Sequence, residues 1–298
     1  MAFKKPPQLT EQAVETGVLK AEQTWDRTLV GGILAGAYIA FGALLAVVVS
    51  SGLDPTTWGN IPVLITGGVF TVGLMLVVIA GADLATGDMA TVGIAMFKKR
   101  VSVGGYSAHL GLALVGNLIG SLLVAYLFAY KSGILGVPIT ADRLAAIAEL
   151  KGNTESAGQI FIRAVGCNWL VCLAVWMALG AEDIGGKILA IFFPIMAFVA
   201  LGFDHVVANM FFLPAAVFAG VGGLAWADVG NNLVFALLGN LVGAVVFVAG
   251  AYWYLYGREP GPAAEKARPP RPEVTAAERA PVITGARGAT QAGGPAAR

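Results

Sequence analysis

Charged side chains are scarce in this sequence, and histidine and cysteine are nearly absent. Only 12% of the 298 residues are Asp, Glu, Lys or Arg, about half the share found in a soluble domain. With only two histidines, His109 and His205, neither a haem held by two histidines nor a zinc site is expected. The cysteines Cys167 and Cys172 lie in one apolar run, where helical geometry keeps them too far apart for a disulfide. We therefore predict no cofactor and no metal.

Two further absences narrow the class of protein. The net charge is +1 and no basic stripe with interleaved aromatics occurs, so a nucleic acid is not an expected partner. Residues 1–28 lack the apolar core of a signal peptide, so we expect the first membrane helix to act as the insertion signal. Long uncharged runs follow, as in a protein that crosses the membrane several times.

The composition divides the chain into three segments. Residues 1–27 are polar with an amphipathic stretch, which is typical either of an interfacial helix on the membrane or of a solvated leader helix. Residues 28–257 hold the apolar runs and form the predicted transmembrane domain. Residues 258–298 consist mainly of Pro, Ala, Gly, Arg and Glu, which predicts a disordered cytoplasmic tail.

Six apolar runs are long enough to cross a bilayer. They cover residues 29–50, 61–97, 106–130, 158–179, 188–218 and 232–256. The second run is interrupted over 81–87 and the fifth over 202–205, where Gly81 and Gly202 open short polar segments. We therefore predict an all-α integral membrane protein with six transmembrane helices, of which helices two and five are broken within the membrane.

The two interruptions repeat each other, which indicates a duplication. Gly-Ala-Asp-Leu-Ala-Thr-Gly-Asp-Met at 81–89 aligns without a gap with Gly-Phe-Asp-His-Val-Val-Ala-Asn-Met at 202–210. The motif Gly-Asn-Leu-x-Gly likewise recurs at 116–120 and 239–243. Each half contains three spans, which is an odd number, so the halves have opposite orientations in an inverted 3+3 repeat.

The loop charges orient the predicted domain. Lys98-Lys99-Arg100 and the basic tail place both termini in the cytoplasm under the positive-inside rule. Lys131, Arg143 and Lys151 then lie outside, in mild conflict with the rule. Their loop is long and also acidic, and long loops follow the rule less strictly.

His205 is the sharpest candidate for chemistry, because an ionisable side chain deep in an apolar span usually marks a pathway. Its imidazole can offer a proton or a positive charge to an anion, although a lone membrane histidine can also be a structural donor. Thr86 in the first interruption can bind a solute through its hydroxyl or cap the next half-helix. Asn168, in the middle of the fourth run, either touches the solute, positions the histidine or makes an interhelical bond.

The paired polar residues favour structural roles. Asp83 and Asp204 occupy equivalent positions in the two interruptions, and both would repel an anion. We therefore predict that they bond loop amides or cap the half-helices. Asn117 and Asn240 lie within the small-residue motifs, and we interpret them as interhelical glue.

Together these motifs resemble those of the formate/nitrite transporter family. The resemblance rests on residues 81–86, 167–176, 198–210 and 239–243, and it extends in order and spacing over about residues 10–257. It implies an aquaporin-like protomer with six helices, assembled as a homopentamer with one pore in each protomer. Members of this family conduct small monovalent anions such as formate, nitrite or hydrosulfide.

The resemblance also implies roles for individual residues. His205 would be the central pore histidine, with Thr86 and Asn168 beside it on the substrate pathway. The implied pore constrictions are Phe70 and Phe198 on the outer side and Leu74 and Leu84 on the inner side. Spacing alone would make those four positions core or lipid-facing. Ala85 and the pair Gly87-Asp88 depart from the family pattern, since formate channels commonly carry Phe at the first of these positions. The inner constriction is therefore expected to be wider or differently gated.

The sequence thus predicts a proton-linked channel or transporter for formate or nitrite in the bacterial inner (plasma) membrane. His205 would hand a proton to the anion, which would cross the next constriction as a neutral acid. The alternatives are a hydrosulfide or acetate/lactate channel of the same family, and a neutral-solute channel for water or glycerol. No Asn-Pro-Ala pair occurs at the breaks, which counts against the neutral-solute channel. An enzyme is not expected, and the expected partners are the anion, membrane lipid and further copies of the chain.

Overall fold

The computed structural model describes residues 3–258 and shows them as helices joined by short connections. The α-helices are α1 (Pro6–Ala21), α2 (Trp25–Ser50), α3 (Pro55–Trp58), α4 (Ile61–Phe70), α5 (Val72–Met75), α6 (Ala85–Phe97), α7 (Val103–Leu123), α8 (Pro138–Glu149), α9 (Ala157–Gly180), α10 (Ile184–Ala200), α11 (Val206–Ala219) and α12 (Trp226–Ala244). Segments of π-helix continue several of them: Leu76–Gly81, Val124–Lys131, Leu150–Thr154, Val245–Gly250 and Trp253–Gly257. The predicted tail, apart from Arg258, lies outside the described residues.

Several helices are suited to a bilayer. Five helical stretches are long and apolar enough to cross it: Trp25–Ser50, Ile61–Gly81, Val103–Lys131, Ala157–Gly180 and Trp226–Gly257. The shorter apolar helices α10 and α11 together cover the fifth predicted run. The prediction of an all-α protein with several apolar helices is therefore confirmed. The count of six spans and the aquaporin-like inverted repeat stay predictions.

Glycine lets the long helices approach each other closely. A side chain at Gly120 of α7 would overlap the Ile33 carbonyl oxygen of α2, and one at Gly36 of α2 would overlap the Asn117 carbonyl oxygen of α7. In the second half, Gly239 of α12 meets the Phe161 carbonyl oxygen of α9 in the same way. Such backbone approach is a principal source of helix association in membranes, where lipid removes the hydrophobic drive.

This packing gives the first prediction, which compares two glycines of α7. Gly120→Ala should lower the thermal unfolding midpoint in detergent, because overpacking a close contact costs about 1–3 kcal/mol. Gly111→Ala is the control, since nothing lies within 4 Å of its added methyl group and alanine favours a helix by up to about 1 kcal/mol. Equal midpoints for the two variants would contradict the close approach of α2 and α7.

The first break is shorter than predicted, whereas the second agrees with the prediction to within one residue. In the first, residues 82–84 are extended and α6 already begins at Ala85, so Thr86 lies in the first helical turn rather than in a loop. In the second, residues 203–205 are extended before α11 begins. Gly81 (φ +86°) and Gly202 (φ +71°) adopt the left-handed conformation in which glycine avoids a steric penalty. Each break therefore starts at its glycine and ends within a few residues.

Candidate functional site

The structure brings His205 and Thr86 together although they lie 119 positions apart. His205 Nε2 and Thr86 Oγ1 are 2.8 Å apart, and both residues are buried. The other ring nitrogen, Nδ1, accepts a hydrogen bond from the backbone N–H of Ala208 at 3.2 Å. In the neutral ring Nδ1 is thus the acceptor, so the hydrogen is on Nε2 and is donated to Thr86. His205 also serves as the N-cap of α11 through this contact.

Asparagines from neighbouring helices hold the starts of both half-helices. Asn117 Oδ1 accepts from the Ala85 N–H at 3.0 Å, and Asn240 Oδ1 accepts from the Val206 N–H at 2.8 Å. The amide of Asn117 donates to the carbonyls of Gly32 and Asp83. Each asparagine thereby satisfies a helix-start amide that has no partner within its own helix. Both asparagines form interhelical hydrogen bonds as predicted, and these bonds lie at the helix breaks.

The amide of Asn240 makes the matching bonds in the second half. Its Nδ2 donates to the carbonyls of Ala164 and Asp204, at 2.8 and 2.9 Å. The three bonds of Asn240 therefore tie α9, the second break and the start of α11 to α12. The two breaks are held by the same chemistry, which is the reason the Gly-Asn-Leu-x-Gly motif occurs in both halves.

Asn168 lies behind the His205–Thr86 pair. Its Nδ2 donates to the carbonyl oxygens of Thr86 at 3.1 Å and of Asn240 at 2.8 Å, and the side chain is fully buried. These bonds position the backbone that carries Thr86. The role of Asn168 as a ligand of the solute stays a prediction.

Apolar rings flank His205 on one side. The rings of Phe70 and Phe198 meet edge to face with centroids 5.8 Å apart, and the Phe198 ring lies 5.8 Å from the His205 ring. Leu84 lies two residues before Thr86 in the chain and is buried. The polar pair is therefore bounded by apolar side chains, and their role as a pore constriction stays a prediction.

Two cavities approach this region. The first, which we call the Lys20 cavity, has a volume of about 420 Å³ and is lined by Lys20 and residues of the first break, including Leu84. The second, the Lys151 cavity, has a volume of about 180 Å³ and reaches Lys151, His205 and both phenylalanine rings. Leu74 and Ala85 are buried but line neither of these two cavities, so their roles in the constriction stay predictions.

A buried ionic cluster lines the Lys20 cavity. Lys20 Nζ lies 2.6 Å from Asp83 Oδ1 and 2.9 Å from Asp88 Oδ1, and His109 Nε2 lies 2.9 Å from Asp88 Oδ2. Burial lowers the pKa of Lys20, but the carboxylates of Asp88 and Asp83 raise it further, to about 12. Lys20 is therefore charged at all physiological pH values.

The same side chains form the kind of group that can hold a metal ion. Asp83, Asp88 and His109 offer ligand atoms that lie within 4.8 Å of one another. Lys20 Nζ already contacts both carboxylates at hydrogen-bonding distance. The ammonium group thus supplies the positive charge that a metal would bring, and the absence of a metal stays a prediction.

A second lysine occupies the equivalent place in the second half. Lys151 Nζ lies 2.8 Å from Asp204 Oδ1, which also accepts from Asn209 Nδ2 at 2.8 Å. Asn232 donates to the backbone carbonyl of Lys151 at 2.9 Å and so fixes this residue. Each break thus carries an aspartate paired with a lysine from outside the apolar runs.

These contacts correct the capping role predicted for the aspartates. The N-cap positions are Leu84 and His205, one residue after Asp83 and Asp204 respectively. The carboxylates bind lysines instead, while Asn117 and the His205 ring accept the helix-start amides. The aspartates keep a structural role, but it is charge pairing.

Sequence reasoning missed several members of the site. The missed residues are Lys20, Asp88, His109 and Lys151. For Asn117 and Asn240, sequence reasoning did not predict that their hydrogen bonds lie at the helix breaks. A signal for the lysines existed, because each precedes the first span of its half. That signal is weak, since a lysine on a surface helix is ordinarily solvated.

The comparisons with known proteins agree with this architecture. A sequence profile described as formate/nitrite transporter matches residues 7–254. The uncharacterized transporter YrhG of Bacillus subtilis (strain 168) is 46% identical over 259 residues, which cover 87% of this chain and 96% of that protein. The formate channel BtFdhC of Bacillus thuringiensis is 42% identical over 259 residues, with 87% and 98% covered. A solved structure described as a pentameric formate channel with formate bound superposes with a TM-score of 0.69 at 27% identity, covering 78% of this chain and 98% of that one.

Proposed function

Because this chain belongs to the formate/nitrite transporter family, we propose that it is a channel for small monovalent anions, with formate or nitrite as its substrate. The proposal is carried by one observation: a hydrogen-bonding pair, His205 and Thr86, lies among apolar side chains between two cavities that each contain a lysine. Its relative BtFdhC, described as a formate channel, supports the choice of substrate.

The arrangement fits the energetics of an anion in a membrane. An ion that leaves water without compensating partners is disfavoured by many kcal/mol. Lys20 and Lys151 offset the negative charge of the carboxylates that would otherwise repel an anion. The N-terminal ends of α6 and α11 add the positive end of a helix dipole at each break. These helix ends attract the anion to the constriction, so only a short apolar segment remains to be crossed.

His205 serves as the donor within that segment. Its Nε2–H donates a hydrogen bond to Thr86 in the resting protein. An arriving carboxylate or nitrite oxygen accepts this hydrogen bond in place of the Thr86 hydroxyl. Thr86 then offers its own hydroxyl hydrogen to the substrate. A charge-assisted bond of this kind is stronger than the neutral bond that it replaces.

Proton transfer from His205 to the substrate requires a change in the protonation of the imidazole ring. To give up its Nε2 proton without becoming an anion, the imidazole must take up a proton from water at Nδ1, where it now accepts the Ala208 N–H. The relay therefore proceeds only when the Nδ1–Ala208 bond opens. In that step the substrate accepts the Nε2 proton and crosses the Phe70–Phe198 constriction as a neutral acid.

The proposed assembly follows the family. We propose six spans in an inverted repeat, in the inner membrane of a bacterium, with both termini in the cytoplasm. Three spans then separate Lys20 from Lys151, so the Lys20 cavity opens to the cytoplasm and the Lys151 cavity to the outside. A homopentamer is supported by the pentameric formate channel that this chain resembles.

Anion flux into proteoliposomes tests the function. Formate, nitrite, hydrosulfide and acetate are compared at about pH 5.5 and about pH 7.5, on either side of the ordinary histidine pKa. We expect formate or nitrite to give the largest flux, with more at the lower pH. Swelling in glycerol is the matched test of the neutral-solute alternative. Glycerol flux without anion flux would reject the proposal.

A further inference from the structure

Glu155 has no part in the proposed pathway, yet it is buried beside the Lys151 cavity. Glu155 is only 7% exposed and lies two residues before the start of α9. One carboxyl oxygen, Oε1, accepts a hydrogen bond from Arg163. The other, Oε2, is buried and has no hydrogen-bond partner among the described residues.

Asp204 shows the same pattern. Its Oδ1 accepts from Lys151 and Asn209, whereas its Oδ2 is buried without a donor among the residues that the structure describes. Buried polar atoms are almost always hydrogen-bonded, so two such oxygens in one cluster need a cause. Both are acceptors when ionised, so neither can satisfy the other without a proton.

A single shared proton would give both oxygens, Glu155 Oε2 and Asp204 Oδ2, a hydrogen-bond partner. The carboxyl groups of Glu155 and Asp204 are close enough for one to hydrogen-bond the other when Glu155 is protonated. Two carboxylates in one buried site resist ionising together. Burial and the hydrogen bond to Asp204 raise the pKa of Glu155 to about 7, against the opposing attraction of Lys151 and Arg163.

We propose that Glu155 and Asp204 form a proton-binding site at the Lys151 cavity, holding one proton between them, and that this proton controls how strongly the cavity attracts the anion. The inference rests on the proposed function as an anion channel. It adds a titrating group that is separate from His205 and lies at the entrance rather than at the centre of the pathway.

The charges around the pair set the direction of the effect. The titratable and charged groups that face it or share its cavity are Lys151, Arg163, Cys167, His205 and Arg143. With the proton bound, Lys151, Arg163 and Arg143 contribute three positive charges against the one negative charge of Asp204. Loss of the proton adds a second negative charge and halves this excess. The cavity therefore attracts anions most strongly below about pH 7, and the attraction weakens as the pH rises through that value.

The test is Glu155→Gln, which keeps the size and the hydrogen-bonding capacity of the protonated acid. Formate flux in proteoliposomes is measured at about pH 6 and about pH 8, with the same pH on both sides, so that protein orientation does not matter. In the unmodified protein the KM should rise about five- to tenfold between these values, as expected for one charge added near the entrance. In the variant, the KM should stay close to its low-pH value.

Glu149→Gln is the matched control. Glu149 lies on the same connection, loses the same charge on substitution, and is exposed, so its variant should keep the pH profile of the unmodified protein. Bulk protonation of formate is common to all three proteins and cancels in the comparison. A KM in Glu155→Gln that rises like that of the unmodified protein would overturn the proton site.

An infrared titration gives a second readout that does not depend on transport. The unmodified protein should show a protonated carboxyl band that disappears between about pH 6 and about pH 8, and this band should be missing in Glu155→Gln. Its absence from the unmodified protein would refute the shared proton even if the variant failed to fold. If the unmodified protein conducted no anion, the proposed function would fail, while the infrared result would still decide the proton site.

Discussion

Replacing His205 with alanine is expected to lower anion flux at least about tenfold, the effect of losing one charge-assisted hydrogen bond at the centre of the path. The substitution removes the Nε2 donor and leaves Thr86 without its partner. It also removes the acceptor of the Ala208 amide, so α11 loses its N-cap. The measurement is the initial rate of formate flux in proteoliposomes, normalised to the amount of folded protein.

His205→Asn is the matched variant, because asparagine can replace both bonds. It is among the best N-cap residues, and its amide can donate towards Thr86. We therefore expect flux at about pH 7.5, above the ordinary histidine pKa, where the relay contributes least, to recover most of the way from the alanine value. Equal loss in the two variants would show that hydrogen bonding is not what His205 contributes.

The pH profile of His205→Asn at saturating anion, where the effect of Glu155 on the KM does not contribute, separates donation from proton hand-over. An amide does not titrate in this range, so the relay predicts that the increase in maximal flux at low pH disappears in this variant. An increase in maximal flux that survives would place proton uptake away from His205. That result would reject the relay and leave His205 as a neutral donor.

Replacing Asn240 with alanine should have the largest effect on stability. The change removes three buried hydrogen bonds: the one accepted from the N–H of Val206 and those donated to the carbonyls of Ala164 and Asp204. At about 1 kcal/mol for each lost hydrogen bond, the expected loss is about 3 kcal/mol. The thermal midpoint in detergent should fall by about 6–12 °C for a chain of this size.

Asn231→Ala provides the control on the same helix. Asn231 is exposed, whereas Asn240 is fully buried, so substitution there should change the midpoint little. Flux should follow stability, because the bonds of Asn240 hold the start of α11 beside His205. A stable Asn240→Ala protein with normal flux would contradict the anchoring role.

Much of the fold was predictable because it is encoded locally. Long apolar runs predict membrane-crossing helices wherever they occur, and glycine followed by polar residues predicts where a helix breaks. The breaks at Gly81 and Gly202 were found in this way. Their length was overestimated in the first half, because Thr86, Gly87 and Asp88 look like loop residues until Asn117 is seen to hold the start of α6.

The candidate site was predictable only in part. His205 and Thr86 stood out as polar residues in apolar runs, and Asn168 stood out for the same reason. Lys20 was not predicted, since it lies on a polar surface helix, and its partner Asp83 is 63 positions away in the chain. Glu155 was likewise one acidic residue in an acidic loop until its burial against Asp204 became visible.

The sequence by itself determined the membrane character of this protein, the recurrence of its motifs, its family resemblance and the location of its helix breaks. Each of these depends on the type and order of neighbouring residues, which govern hydropathy and backbone conformation. Only the tertiary structure decided which lysine pairs with which aspartate, which asparagine holds which half-helix, and which carboxyl oxygens are left without a donor. Those outcomes depend on which side chains packing brings within about 3 Å of each other. Hydrogen bonds and ion pairs act over that short range, and the linear order of residues does not specify it.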